Sequence, residues 1–309
     1  MRAVTVDRAA PGGLVLSTVA EPVPSPSEAV VRVAAISLNL GEVRRARSAA
    51  DGWRPGWDFA GTVERAAADG SGPPHGTRVV GMRDEAAWAE LVAVSSARLA
   101  VLPARVTFER AATLPVAGLT ALYALEKRGS LVERRVLVTG ASGGVGMFAM
   151  QLARLSGAHV TALVHREEKA SSAALHADAV SVGDGAQLVS GAAPFDLILE
   201  SVGGSVFANA LQALAADGLL VTFGTSADRT STIEIAPFYV RGGGTVYGFY
   251  LFHELKTHSA GAGLTRLAAL LDSGKLDVHV DAVMPAGKIG DAVELLWNRA
   301  VTGKLVVTF

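Results

Sequence analysis

Residues 136–169, VLVTGASGGVGMFAMQLARLSGAHVTALVHREEK, constrain this chain more than any other stretch. They open as a continuous apolar run, cross a cluster of glycines, and go on with apolar residues at three- and four-residue spacing before a second apolar run, AHVTALV. A strand, a tight turn, an amphipathic helix and another strand in that order describe a β-α-β unit. The alternation continues through DAVSV, FDLILESV and GLLVTFG, with helical spacing in VFANALQALAADG. From about Arg135 the pattern therefore predicts a parallel sheet with helices on its faces.

The first third has a different texture. MRAVTV, EAVVRVAAISL, FAGTVERA, TRVVGM and AELVAV are strand candidates separated by turn clusters such as EPVPSPSE and DGSGPPHG. Near residue 107 the chain becomes Ala/Leu-rich with helical spacing over TFERAATLPVAGLTALYAL, and Thr107 followed by Glu109 and Arg110 has the form of a helix start. After TVYGFYLF come a helix (GLTRLAALLDSG), a strand (DVHVDAVMP), a helix (IGDAVELLWNRA) and a closing strand, GKLVVTF. For 309 residues two domains are the better prior. The expected fold class is α/β, a β-rich domain joined to a doubly wound parallel sheet.

Charge narrows the partners. With 28 basic and 29 acidic side chains the net charge is -1 and evenly spread, which leaves no footprint for nucleic acid or an anionic membrane and favours small molecules. Cysteine is absent, so disulfides, thiolate nucleophiles and Cys-containing zinc sites are excluded together. The opening MRAVTVDRAAPGG lacks a signal-peptide pattern and no apolar run approaches membrane-spanning length, which gives a cytoplasmic protein as the expectation.

Ala141, Gly143 and Gly146 have the spacing of a dinucleotide fingerprint with alanine in the first place, and Ser142, Gly144 and Val145 complete the loop. The turn must leave the strand tightly, let backbone approach a pyrophosphate, and bring a helix close to the strand with its amino end toward the phosphates. The other reading is a glycine-rich turn that binds nothing, but the β-α-β context is the one the motif requires. No Gly-Lys-Ser/Thr follows, so a P-loop is excluded. The second strand ends at His165 and Arg166 without a carboxylate for ribose hydroxyls, and Arg166, with Lys169 a turn later, suits the 2′-phosphate of NADPH. The alternative is that HREEK is a solvated helix start.

Together, ISLNLGEVRRA, GWDFAGTV, LPVAGLTALYAL, VTGASGGVGMFAMQLA and GKLVVTF resemble, in order and spacing, the zinc-independent quinone oxidoreductase branch of the medium-chain dehydrogenase/reductases. The resemblance spans essentially the whole chain. It implies a discontinuous GroES-like catalytic domain (1–112 and 247–309), a Rossmann NADP-binding domain (113–246), a cleft where the nicotinamide meets the substrate, and a homodimer. Zinc enzymes of the superfamily carry a cysteine near Ser37 to Asn39 and Gly-His-Glu where this chain has Gly56, Trp57 and Asp58, so no metal is expected. GMRDEAAW is likewise too short and Cys-free for a structural zinc lobe.

Without a Lewis acid, nothing obvious stabilises an alkoxide, whereas a quinone or an α,β-unsaturated carbonyl spreads the charge it receives onto a conjugated oxygen. The resemblance places Asn39, Glu42 and Thr120 at the catalytic site; Asn39 and Glu42 also suit an ordinary strand-to-helix turn. Gly224 and Thr225 follow a strand at a sheet's carboxyl end, and Phe249 with Tyr250 are candidates to wall the nicotinamide pocket or to pack as plain aromatics. Trp53 stands near where some enoyl reductases have a proton-donating tyrosine, and Gly183 replaces a tyrosine that in relatives contacts the adenosine phosphate. The loop RRARSAADGWRP is expected to help set the substrate, its arginines engaging an acidic tail or solvating the surface. Two further readings share these motifs: a tailoring reductase for one biosynthetic enone, and a non-catalytic NADPH-binding sensor or scaffold.

Overall fold

A computed structural model of the chain describes residues 1–191 and 193–309, with backbone alone at 190 and 191. It contains two compact units, Met1–Leu119 with Leu255–Phe309, and Thr120–Glu254. These boundaries fall a few residues later than the 112 and 247 read from the sequence.

The strands of the first segment are β1 (Arg2–Val6), β2 (Leu14–Thr18), β3 (Glu28–Ser37), β4 (Asp58–Arg65), β5 (Arg78–Met82), β6 (Leu91–Ser95) and β7 (Leu99–Val101). Six follow in the second unit: β8 (Arg135–Thr139), β9 (His159–Val164), β10 (Ala179–Val182), β11 (Phe195–Glu200), β12 (Leu214–Thr222) and β13 (Thr245–Gly248). The chain then returns to the first unit with β14 (Val280–Pro285) and β15 (Lys304–Thr308).

In the first unit β1 and β2 pair as an antiparallel hairpin, and the main sheet runs β14-β15-β3-β4-β5-β7 with β6 also on β3. The β14–β15 pair is parallel and the others are antiparallel. Phe59, Ile36, Leu38 and Trp88 are among the side chains fully withdrawn from water at its centre. The terminal GKLVVTF is thus an interior strand beside the one that leads into Asn39, which explains why a C-terminal segment completes an N-terminal fold.

The stretch from Thr107 is not one helix. It is helical over Phe108–Ala111, where the Thr107 hydroxyl caps the Arg110 N–H as expected, and again over Leu119–Glu126. Between them lies a wide π turn, Leu114–Gly118. Pro115 has no N–H to offer, and the Val116 N–H leaves the ladder for the buried Asp58 carboxylate at 3.0 Å.

The second unit is a six-stranded, all-parallel sheet in the order β10-β9-β8-β11-β12-β13. Strand order reverses between β8 and β11, and the crevice at the carboxyl ends of such a pair is where open α/β sheets bind ligands. The strand segments VLV (136–138), ALV (162–164) and LIL (197–199) bury every side chain, as a sheet covered on both faces requires. No helix among the described residues is long and apolar enough to cross a membrane.

Candidate functional site

At the switch point, Gly140 turns out of β8 at φ +59 and the helix Gly144–Leu155 begins immediately after the loop, with Gly143 at its cap. A Cβ on Gly146 would lie 2.6 Å from the Gly140 carbonyl oxygen and 2.7 Å from Ala141 Cα, so only glycine lets the helix come this close to the strand. Ala141 is buried and its N–H is tied to Leu163 of β9, while Gly143 is exposed and Ser142, Gly144 and Val145 are half-exposed. Backbone N–H groups at a helix start, open to water and free of Cβ obstruction, fit the pyrophosphate of a dinucleotide.

Beneath the loop lies a carboxylate that the sequence reading missed. Glu200 ends β11, is fully buried, and accepts from Val202 N at 2.6 Å, Gly203 N at 2.8 Å and the Thr222 hydroxyl at 3.2 Å. The Ser201 N–H donates to Thr139 Oγ1 at 3.0 Å, joining the ends of β8 and β11. Burial pushes the Glu200 carboxyl above its ordinary range, and the N–H and hydroxyl donors pull it back. Gly224 abuts Ser201 just beyond β12, and Thr225 follows it in the same turn. The signal available in the sequence is an acidic residue, Glu200, closing the apolar run LIL.

Arg166 and Lys169 flank the end of β9 where the sequence placed them. Arg166 is exposed and pairs with Glu168 at 3.1 Å, a solvated contact that a phosphate can displace. Phe249 and Tyr250 separate: Phe249 is buried at the end of β13, whereas Tyr250 is 63% exposed and packs on Phe252 at 5.5 Å between ring centroids. Thr120 is buried in the first turn of the helix Leu119–Glu126.

The first unit holds a second centre. Asn39 caps the helix Leu40–Ser48, and its own N–H is received by Glu42 Oε1 at 2.7 Å, so both are turn-and-cap residues as well as site candidates. The Asn39 side chain donates from Nδ2 to Glu42 Oε1 at 2.9 Å and to Asp58 Oδ2 at 2.7 Å. Its Oδ1 accepts from Lys304 Nζ at 2.6 Å. Flipping the amide would face an NH2 to an ammonium and an oxygen to two carboxylates, so the network itself fixes the orientation. Both amide protons are committed, and one lone pair of Oδ1 is the capacity left over.

Glu42 and Asp58 are fully buried, and Lys304 nearly so. Glu42 Oε2 also accepts from Trp57 N at 2.8 Å, and Lys304 donates to the Leu38 carbonyl at 2.9 Å while standing 4.0 Å from Asp58 Oδ2. Burial first, then the neighbouring Asp58, pushes Glu42 well above the usual carboxylate range. Burial likewise raises Asp58 to about 6, against the pull of Lys304 and the hydrogen bonds from Asn39 and Val116. Burial lowers the Lys304 ammonium, opposed by the two carboxylates. Asp58 and Lys304 were not picked out from the sequence, although a lysine leading the apolar strand KLVV is an unusual residue to bury.

Residues 175–307 match the family model described as zinc-binding dehydrogenase. The bovine mitochondrial NAD(P)H oxidoreductase RTN4IP1 is 35% identical over 241 residues, which cover 71% of this chain and 60% of that protein. The quinone oxidoreductase of Coxiella burnetii superposes with a TM-score of 0.86 at 25% identity, covering 100% of this chain and 99% of the other. Mycobacterial Rv1454c, solved as a complex with NADPH, does so at 0.87 and 26% identity over 100% of both. The chain is thus similar over its full length to solved quinone oxidoreductases. It spans only about 60% of the length of the mitochondrial relative.

The match to a zinc-binding dehydrogenase model raises the question of zinc. Among the described residues no group of three or more His, Cys, Asp or Glu side chains could hold a metal ion. Trp57 stands in the Gly-Trp-Asp segment, and the two buried carboxylates beside it are taken up by N–H donors and the Lys304 ammonium. A cation already occupies the electrostatic position a metal would need, so the residues present do not fit zinc.

Proposed function

We propose that the protein is an NADPH-dependent oxidoreductase that works without zinc and passes hydride to a quinone or an α,β-unsaturated carbonyl compound. The observation that carries the reading is the glycine cradle at the switch point, where Gly146 is sterically obligatory and Gly143 and Gly144 open a helix start toward solvent. Ala141 to Gly146 would hold the pyrophosphate, Arg166 and Lys169 the 2′-phosphate, and Gly224, Thr225 and Phe249 the nicotinamide half. The NADPH complex of the mycobacterial relative supports this choice of cofactor. NADPH, when bound, supplies the hydride; the protein supplies position and hydrogen bonds.

Asn39 enters this reading as a fixed acceptor, because both of its amide protons are engaged. The proton that completes reduction then comes from solvent. A conjugated acceptor suits a site of this kind, since its charge is delocalised and needs positioning more than Lewis acidity. Glu42 serves by holding Asn39 and the Trp57 backbone.

The homodimer belongs to the same proposal. β13 is an edge strand, and Ile235, Tyr239, Val240, Val246 and Tyr250 on and around it are exposed. An open strand edge bordered by apolar side chains favours pairing with a second copy. A cytoplasmic location also stays part of it; the bovine relative is mitochondrial by name.

The test is a fluorescence titration with NADPH and, separately, NADH, followed by steady-state oxidation with simple quinones beside a panel of enones. NADPH preference and multiple turnovers are expected. Tight binding with no turnover across both acceptor classes would leave a sensor or scaffold instead.

A further inference from the structure

Around the loop that follows the helix Leu40–Ser48, most guanidinium groups are neutralised. Arg45 meets Glu85 at 3.1 Å and stacks on Trp53, and Arg47 meets Glu294 and stacks on Trp297. Arg98 takes Asp84 at 2.8 Å, and Arg8 takes Asp51 at 4.0 Å. The carboxylates nearest in sequence to Arg54 and Arg83 are therefore already engaged.

Arg54 and Arg83 are half-buried, and among the described residues neither pairs with a carboxylate. Arg54 Nε is fully withdrawn from solvent without a hydrogen-bond partner. Burial first, and then the charge of Arg83, lowers the Arg54 guanidinium from its ordinary value, so the two cations feel one another.

Backbone bonds fix their place. The Arg83 N–H donates to the Trp57 carbonyl at 2.8 Å, Ala86 N to the Arg54 carbonyl at 3.1 Å, and Ala87 N to the Gly56 carbonyl at 3.1 Å. The segments 54–57 and 83–88 are thus laced together. Trp57 in turn donates its N–H to Glu42, and its ring lies so close to Gly41 that a Cβ there would be 2.9 Å away. The two arginines adjoin the Asn39 network through this one tryptophan.

Two like charges half-removed from water, one with a buried N–H unmet, are unfavourable until an anion joins them. A guanidinium fork matches a carboxylate in shape and charge. We propose that Arg54 and Arg83 form an anion subsite of the acceptor site, and that the acceptor is a conjugated carbonyl compound bearing a carboxylate tail. This rests on the reductase reading above and narrows its substrate class.

The experiment compares para-carboxybenzalacetone with its methyl ester in the wild-type protein with NADPH and in Arg54→Gln and Arg83→Gln variants. Binding of the saturated, non-reducible carboxylated ketone is measured in parallel by calorimetry. The acid should exceed the ester in kcat/KM by on the order of ten- to a hundredfold, as charged hydrogen bonds allow, and the ratio should collapse toward one in either variant. Removing one of two repelling cations should leave the melting temperature unchanged or higher, which guards against misfolding as the cause. A wild-type ratio near one, or a ratio the substitutions do not alter, overturns the anion subsite while turnover of both compounds keeps the reductase. If neither compound turns over, the reductase reading fails, and the saturated acid then decides: binding lost in Arg83→Gln keeps the subsite, and no binding to wild type removes it.

Discussion

Lys304→Met keeps the length of the side chain and removes its ammonium, which isolates what that charge does. The lysine side chain is 5% exposed and stands 4.0 Å from a fully buried Asp58. Its loss strips a donor from the Leu38 carbonyl and from Asn39 Oδ1, and leaves Glu42 and Asp58 as two buried carboxylates without a cation. Breaking a buried ion pair from one side costs about 3–5 kcal/mol. At roughly 2–4 °C per kcal/mol for a unit of this size, the melting temperature at neutral pH should fall by roughly 6–20 °C. The pH dependence follows from the sign of the shifts. Asp58 and Glu42 have raised folded-state values, so the native state holds their protons more tightly than the unfolded chain does. The stability that the Asp58 proton contributes is therefore fully present below its ordinary value of 3.8 and is lost as pH rises through about 6. Lys304 pulls both carboxyls down; without it they climb further, and the gap between variant and wild type should widen with rising pH. Calorimetric scans across that window measure it. A melting shift below about 2 °C, or a gap that does not change with pH, would refute the claim that the ammonium balances two buried carboxylates.

Gly146→Ala places a methyl group within 2.6 Å of the Gly140 carbonyl, so it should cost about 1–3 kcal/mol in thermal unfolding and weaken NADPH binding; an unchanged titration would show that the helix can retreat. Arg166→Ala should weaken NADPH roughly ten- to a hundredfold while sparing NADH, and Glu168→Ala, which frees Arg166, should hold or improve NADPH affinity; equal losses for both cofactors would dismiss the phosphate contact. Glu200→Gln retains an oxygen for Val202 and Gly203 and an amide for Thr222. Because the Glu200 carboxyl is raised in the folded state, the variant should remove part of the stability decline seen as pH rises through the acid range, and an identical pH profile would count against that shift.

The β-α-β unit was legible because its signals are local: apolar runs, a 3.6-residue period and glycines within a dozen residues. The long stretch from Thr107 was less so. Its spacing is helical throughout, and the break at Leu114–Gly118 combines Pro115 with a distant acceptor, Asp58, that draws off the Val116 N–H. The Asn39 network shows the same limit. Asn39 and Glu42 stand one helical turn apart and were visible, whereas Asp58 and Lys304 reach them only when β4 and β15 both pair with β3. Phe249 and Tyr250 were indistinguishable as neighbouring aromatics until the end of β13 turned one inward and the other to solvent.

The central claim is hydride transfer from NADPH to a conjugated acceptor. The most direct measurement is turnover with NADPH deuterated at the nicotinamide C4, followed by mass and NMR analysis of an enone product. The account predicts one deuterium at the β-carbon, delivered from a single face of the nicotinamide, with the α-hydrogen drawn from solvent. Tight NADPH binding with no deuterium in any enone product and no NADPH oxidised by any quinone would contradict it.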